Sequence, residues 1–214
     1  MRIVVLGATG GTGRLVTEEA LKRGHDVVCY VRNPAGIQVR PGVQIVAGQL
    51  GDTRAMRAAM SGAQAVLCCL GTHEKKNVDL MQKSLPLIIR AMQGARVLRL
   101  VLLSAYGVGD TAHTASLIAR IAYRLVAAPV FQDKDLSERL LPDSGLEWTG
   151  IYPVILTDGT PSDAVEVRPM TQVQKVSGLP RVSRADVARV MLDATADDRT
   201  IGQRLLVSSQ GSVR

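Results

Sequence analysis

Gly7-Ala8-Thr9-Gly10-Gly11-Thr12-Gly13 is the stretch of sequence that decides the fold. It directly follows a short apolar run, residues 3–6, and opens a segment with helical periodicity, residues 13–23. A strand, a glycine-rich turn and a helix in that order predict a loop whose backbone amides approach a phosphate closely, at the positive end of a helix dipole. No lysine follows at the spacing of a nucleoside-triphosphate loop, so the pattern favours a dinucleotide pyrophosphate.

The rest of the chain alternates apolar runs with segments of helical periodicity. The runs are rich in Val, Leu and Ile on both faces, which is typical of parallel strands covered by helices on each side. The predicted strands are 3–6, 27–31, 43–47, 65–70, 98–103, 147–152 and 204–208. The predicted helices are 13–23, 53–61, 78–93, 114–127, 132–141 and 184–195. This order predicts a doubly wound, mostly parallel α/β sheet, a Rossmann fold, in a single domain over residues 1–214.

The pattern changes after the sixth strand. Residues 157–180 carry several glycines and prolines and little periodicity, which predicts a long loop with one short strand. We expect residues 157–182 to form a small C-terminal lobe that covers the substrate, because loops of this length are often functional. Ser183 to Asp186 has the pattern of a capping box that starts the last helix, and this favours a structural role.

Composition narrows the class of protein. The chain has 214 residues and a net charge of +7 that is spread along its length, which favours small anionic ligands. Aromatic residues make up only 3%, too few for a base-stacking nucleic-acid platform. The three cysteines have no CxxC spacing, and His25, His73 and His113 lie far apart, so we expect neither a disulfide framework nor a metal site.

The same features predict where the protein works. No apolar run has the form of a signal peptide or a membrane span. We therefore expect a cytoplasmic protein that binds a small-molecule substrate, with no membrane partner and no specific nucleic-acid partner. It is expected to be a monomer or a small homo-oligomer.

Several motifs together resemble the short-chain dehydrogenase/reductase superfamily, in its atypical branch. The matching segments are the glycine loop, Tyr30 to Pro34, Cys69 to Thr72, Leu103 to Gly107, the helix around Lys134 and Ser183 to Ala188. More narrowly, the chain is similar to the small NAD(P)H-binding reductases that include biliverdin reductase B (flavin reductase) and the NmrA-like proteins. The resemblance implies hydride transfer from NAD(P)H to a small conjugated acceptor, such as a flavin, a quinone or a carbonyl compound.

The expected cofactor is NADP, with NADPH preferred over NADH. Arg32 stands at the end of the second strand, where NAD-preferring sites carry a carboxylate, and a guanidinium matches a 2′-phosphate. In the glycine loop, the cofactor contacts are assigned to Gly7, Thr9, Gly10, Gly11, Thr12 and Gly13. The resemblance assigns further contacts to Gln49, Leu50, Leu70, Gly71, Thr72, Ser104, Lys134, Tyr152, Pro153, Val154 and Ile155.

Two of these positions depart from the family pattern. Gln49 replaces the acid that relatives usually place beside the adenine. Ile155 stands roughly where the biliverdin reductase-like pattern has a histidine, which puts that particular substrate in doubt.

Ser104, Tyr106 and Lys134 are the candidate catalytic residues. Ser104 matches the superfamily serine that polarises the acceptor, and Lys134 resembles the lysine that contacts the nicotinamide ribose. Tyr106 lies in the loop that follows Ser104. The usual tyrosine four residues before that lysine is absent, because Val130 stands there.

The missing tyrosine leaves alternatives open. Ser104, Tyr106 or water delivers the proton in a reductase without the usual acid. Otherwise the chain binds NAD(P) without turnover, as a redox-sensing regulator similar to the NmrA-like proteins. A third alternative is an NAD(P)-dependent epimerase or isomerase.

Two helical segments carry further expectations. Asp133, Asp135 and Glu138 lie along one polar stretch, and we expect them to be solvated. The apolar face of residues 117–126 is expected to pack in the core. Pro86 lies inside the third predicted helix, which is expected to kink or restart there.

Overall fold

Strands and helices alternate along the part of the chain that the structure, a computed structural model, describes: residues 1–72, 74 and 76–214. The strands are β1 Arg2–Leu6, β2 Asp26–Val31, β3 Val43–Ala47, β4 Ala65–Cys68, β5 Arg99–Leu103, β6 Glu147–Pro153, β7 Ile155–Thr157, β8 Val165–Pro169, β9 Arg181–Ser183 and β10 Gln203–Ser209. The helices are α1 Gly11–Lys22, α2 Thr53–Met60, α3 Leu80–Ala95, α4 Leu117–Val126, α5 Ala128–Glu138 and α6 Arg184–Ala196.

The main sheet has the strand order β3-β2-β1-β4-β5-β6-β10-β8. Its pairs are parallel except for β10 with β8, which is antiparallel. This order confirms the predicted fold, a doubly wound and mostly parallel sheet. The chain winds outward from β1 to β3 and then crosses to β4 on the other side of β1. The carboxyl ends of β1 and β4 therefore form the switch point at which such sheets bind ligands.

Alternating side chains of the strands divide the core into two layers. On β1, Ile3 and Val5 join the layer that contains α1 and α6, whereas Val4 and Leu6 join the layer that contains α2 and α3. Both faces of the strand are buried because helices cover both faces of the sheet, which explains the continuous apolar runs in the sequence.

Helix α3 runs unbroken through Pro86, from Leu80 to Ala95, so the helix does not restart at Pro86, and a kink there stays a prediction. Leu85 and Ile88 are fully buried on either side of the proline. Their burial holds the helix together although the proline removes one backbone hydrogen bond.

The outer face of α4 is also different from the prediction. Leu117, Ile118, Ile121 and Leu125 are exposed, so the expected core packing is wrong. The helix is anchored instead through its inner side, where Ala119 is buried and the ring of Tyr123 packs against Tyr106 and Phe131.

The segment 157–182 contains the predicted short strand, because β8 pairs with β10 at the edge of the main sheet. Strands β7 and β9, at its two ends, pair with each other in a separate parallel ribbon. Val176 bridges Ala115 on one side and Val213 on the other. Within the described residues, no helix has the length and apolar character needed to cross a membrane.

Candidate functional site

The glycine loop connects β1 to α1 and depends on two glycines. Gly7 has a φ of +80°, and a Cβ at that position would lie 2.6 Å from the carbonyl oxygen of Cys69. A Cβ on Gly13 would lie 2.1 Å from the carbonyl oxygen of Gly7. The loop is therefore packed against itself and against the end of β4, and neither position has room for a side chain.

The first turn of α1 is suited to an anion. Gly10 is the N-cap residue and has no side chain to cap the helix, and the first turn contains no acidic residue. Gly10 and Gly11 are both exposed. The free amides and the positive end of the helix dipole are thus accessible, which is the arrangement that binds phosphate groups.

Basic residues lie on one side of this loop. Arg14 donates from Nε to the carbonyl oxygen of Thr9 at 3.0 Å. A cavity of about 210 Å³ beside the loop is lined by Arg14 and Arg40, together with Gly36 and Ile37. Arg32 is exposed directly after β2. Arg40 was not singled out from the sequence, since nothing in its spacing from the glycine loop indicates that it folds back beside it.

The other predicted cofactor residues follow the carboxyl ends of neighbouring strands. The carbonyl oxygen of Gln49, shortly after β3, accepts a hydrogen bond from the Tyr30 hydroxyl at 2.8 Å. Leu70, Gly71 and Thr72 follow β4, next to the contact between Gly7 and Cys69. The last four predicted cofactor residues lie between the end of β6 and the start of β7 and are Tyr152, Pro153, Val154 and Ile155. All of them lie along the edge of the sheet that carries the glycine loop.

Ser104, Glu138 and Tyr152 form a hydrogen-bonded cluster at this edge. Ser104 follows β5 and donates from Oγ to Oε1 of Glu138 at 2.5 Å. Tyr152, on β6, donates from its hydroxyl to Oε2 of the same carboxyl group at 2.5 Å. The sequence did not indicate this role for Glu138, because the three residues are far apart in the chain and meet only when α5 packs beside β5 and β6.

Lys134 lies one helical turn before Glu138, on α5. It is buried, and its Nζ donates to the carbonyl oxygen of Leu103 at 2.9 Å. Leu103 directly precedes Ser104, so the structure brings the predicted pair Ser104 and Lys134 together at the end of β5.

Burial changes the protonation of this cluster. Removal from water raises the pKa of Glu138, although the charge of Lys134 and the hydrogen bonds from Ser104 and Tyr152 act in the opposite direction. Burial and the neighbouring Glu138 carboxyl group raise the pKa of Tyr152. Burial therefore makes the Glu138 carboxyl group a weaker acid and the Tyr152 hydroxyl an even weaker one.

Tyr106 has a different environment. Its side chain is buried, and its hydroxyl forms a hydrogen bond of 2.8 Å with Oγ1 of Thr114. Its ring packs edge-on against Tyr123, with centroids 6.4 Å apart. A role for Tyr106 at the acceptor stays a prediction.

The polar face of α5 is not solvated as expected. Asp133 is buried, and its carboxylate accepts hydrogen bonds from the backbone amides of Met81 and Gln82 at 2.8 and 2.9 Å. It therefore caps the amino end of α3, and Glu138 belongs to the cluster described above. The prediction is wrong for both residues because α5 packs against α3 and the sheet along this face.

A cavity of about 650 Å³ adjoins the cluster. Glu138 and Tyr152 are part of its wall, and Trp148 and Met170 give it apolar surface. Asp110 and Arg204 form a bidentate ion pair in the wall of the same cavity. The hydrogen bond from Arg204 lowers the pKa of Asp110, and the same bond raises the pKa of Arg204. A cavity of this size, with both apolar and charged residues in its wall, can hold a small molecule.

The cysteines take no part in this chemistry. Cys29, Cys68 and Cys69 are buried and free, as expected for packing residues. Among the described residues, no group of three or more His, Cys, Asp or Glu side chains could hold a metal ion. His73 lies outside the described residues.

The strand order, the uncapped glycine loop and the cluster at the carboxyl edge define a Rossmann-type dinucleotide-binding domain. Comparison with known proteins then gives the family. The chain belongs to the NAD(P)H-binding family, whose model matches residues 7–198, and this confirms the resemblance drawn from the motifs.

The individual proteins that this chain matches share only part of its sequence. Photosystem II assembly factor Ycf39 from Synechocystis sp. is 26% identical over 154 residues, which are 70% of this chain and 43% of that protein. A (4-alkanoyl-5-oxo-2,5-dihydrofuran-3-yl)methyl phosphate reductase from Streptomyces griseus is 28% identical over an alignment of 215 residues. This alignment covers 99% of this chain and 69% of that protein. The chain spans less than half the length of the first curated relatives that it matches.

Solved structures share the fold. A short-chain dehydrogenase/reductase from Veillonella parvula, crystallised in complex with NADP, superposes with a TM-score of 0.83. The match covers 100% of this chain and 96% of that chain, at 17% identity.

Proposed function

We propose that this protein is an NADPH-dependent reductase that transfers hydride to a small conjugated acceptor without the usual tyrosine acid. The observation that carries the proposal is the hydrogen-bonded cluster of Ser104, Glu138 and Tyr152. Ser104 lies at the same sheet edge as the glycine loop, and its two partners, Glu138 and Tyr152, line the cavity of about 650 Å³. The family match and the Streptomyces reductase support this reading.

The residues present fit a dinucleotide. Gly10 and Gly11 leave the start of α1 open for the pyrophosphate, with Thr9 and Thr12 beside them, and Gly7 and Gly13 give the loop its shape. Arg32 would hold the 2′-phosphate. Gln49, Leu50 and the residues after β4 and β6 would line the adenine, ribose and nicotinamide parts of the site. Lys134, already fixed to the carbonyl oxygen of Leu103, would hold the nicotinamide ribose.

A bound reduced nicotinamide supplies the hydride, so the protein has to orient the acceptor and deliver one proton. Ser104 donates its hydroxyl proton to the acceptor atom that gains negative charge. The carboxyl group of Glu138, which accepts from Ser104 through Oε1, then passes a proton from water in the cavity to Ser104 Oγ, and its raised pKa favours this uptake. Tyr152 stays hydrogen-bonded to Oε2 and holds the carboxyl group in place.

Residues 157–182 are proposed to cover the acceptor. Met170 and Thr171, from this segment, already line the cavity. The protein is further proposed to act in the cytoplasm as a monomer or small homo-oligomer, and its three free, buried cysteines suit a reducing compartment.

Arg32→Ala tests the choice of cofactor. Losing a charge-assisted contact to the 2′-phosphate should weaken NADPH binding by about 1.5–3 kcal/mol, or roughly 10- to 150-fold, and leave NADH binding unchanged. Isothermal titration calorimetry with both cofactors measures the difference. Arg90→Ala, an exposed arginine on α3, removes the same charge far from the loop and should change neither affinity. Equal losses for the two cofactors in Arg32→Ala would refute the assignment.

A further inference from the structure

Arg184 is the first residue of α6, and its side chain extends away from that helix start. The capping role predicted for this segment belongs to its neighbours, because Ser183 Oγ accepts a hydrogen bond from the amide of Asp186 at 3.0 Å. Arg184 contributes nothing to that cap. Its guanidinium is only partly buried, with 28% of the side chain exposed.

The side chain of Arg184 crosses the start of α1. A Cβ built on Gly11, the first residue of α1, would lie 3.2 Å from both Cδ and Nε of Arg184 and 4.0 Å from Cζ. The missing side chain at Gly11 therefore gives room to an arginine. Since Nε and Cζ lie this close to the Cβ position of Gly11, the positive charge of Arg184 lies beside the first turn of α1.

Arg184 already holds an anion there. Its Nη1 lies 2.6 Å from Oδ1 of Asp158, and 89% of the Asp158 side chain is exposed. Ion pairs this exposed contribute little to stability. A ligand with two negative charges at the start of α1 can therefore displace the Asp158 carboxylate at small cost.

We propose that Arg184 binds the pyrophosphate of the nicotinamide dinucleotide and exchanges Asp158 for it. The inference rests on the proposed function, since it needs a dinucleotide on the glycine loop. Asp158 lies at the start of the segment 157–182 that is proposed to cover the substrate. Cofactor binding therefore releases the start of this segment from α6. In the absence of cofactor, Asp158 occupies the Arg184 guanidinium and competes with the pyrophosphate for it.

Two substitutions with opposite expected effects test the proposal by equilibrium binding. Arg184→Ala should weaken NADPH and NADH alike, by about 10- to 100-fold, because both carry the pyrophosphate. It should leave adenosine 2′-monophosphate, which lacks the pyrophosphate, unchanged. Asp158→Asn frees the guanidinium and should tighten NADPH and NADH by about 2- to 5-fold.

Matched controls separate this contact from the general electrostatic field. Arg189→Ala removes the same charge further along α6. Asp193→Asn breaks the comparable exposed pair with Arg23, at 2.7 Å. Neither control should change cofactor affinity, and the melting temperatures of all four unliganded variants show whether the fold is intact.

Each outcome separates the two proposals. Wild-type protein that binds neither NADPH nor NADH overturns the proposed function together with this inference. If wild type binds the cofactors, three results overturn this inference alone. They are an unchanged cofactor affinity in Arg184→Ala, an equal loss of affinity for adenosine 2′-monophosphate in that variant, and an equal loss of cofactor affinity in Arg189→Ala. Weaker cofactor binding in Asp158→Asn contradicts the exchange of anions.

Discussion

Gly13→Ala is the substitution for which the structure gives the clearest expectation. The new methyl group would lie 2.1 Å from the carbonyl oxygen of Gly7 and 3.0 Å from Cα of Ala8. Ordinary van der Waals contact begins near 3.4 Å, so the loop would have to move by more than 1 Å. Both obstructing atoms belong to the backbone of the glycine loop and have no alternative rotamer.

The energetic cost follows from this overlap. Forcing a methyl group into a packed site costs about 1–3 kcal/mol, and the better helix propensity of alanine returns at most about 1 kcal/mol at the start of α1. For a chain of this length, a net loss of about 2 kcal/mol corresponds to a fall in melting temperature of about 4–8 °C. Since the displaced atoms form the pyrophosphate loop, we also expect NADPH binding to be lost.

Gly94→Ala is the matched control. Gly94 also lies in a helix, and its Cβ would meet Cδ of Arg57 at 2.8 Å. That atom belongs to a long, flexible side chain that can move aside, so the control should be neutral or slightly stabilising. Thermal unfolding and NADPH titration of both variants make the comparison. Equal melting temperatures and intact NADPH binding in Gly13→Ala would refute the reasoning.

Two further predictions concern buried titratable groups. The pKa of Glu138 is raised in the folded protein. The contribution of Glu138 to the free energy of unfolding is therefore complete below the ordinary pKa of a glutamate and is lost as the pH rises through the folded pKa. The loss is at most about 1.4 kcal/mol per pH unit. The stability advantage of wild type over Glu138→Gln should therefore shrink as the pH rises above the ordinary pKa of a glutamate in denaturant titrations; parallel curves would contradict the raised pKa. Burial raises the pKa of the Cys68 thiol to about 11, so iodoacetamide should modify Cys68 only after unfolding, and rapid labelling of the native protein would show that this thiol is accessible.

Much of the fold was predictable because its signals are local. The glycine loop between an apolar strand and a helix fixes the start of the domain, and the apolar runs give the parallel sheet. Ser104 and Lys134 were predicted together, and the structure places them at the same strand end. These predictions depend on residue types at short spacing, which a single sequence displays directly.

The remaining features depend on contacts between distant segments. Glu138 looked like a solvated residue because its two partners come from β5 and β6. Arg184 looked like part of a helix cap because its contact with Gly11 forms only when α6 packs beside α1. The exposed face of α4 has the periodicity of a buried helix, and no local signal distinguishes the two.

The most direct test of the account is the oxidation of NADPH by wild-type protein and by Ser104→Ala. The decrease in absorbance of the reduced nicotinamide is followed with a panel of flavins, quinones, tetrapyrroles and aldehydes as acceptors. Ser84→Ala, which removes the hydroxyl of another buried serine on α3, is the control. We expect turnover with at least one acceptor and a loss of about 100-fold or more in Ser104→Ala, because a positioned proton donor contributes that much. Protein that binds NADPH but oxidises it with none of these acceptors would contradict the account and favour the redox-sensing alternative.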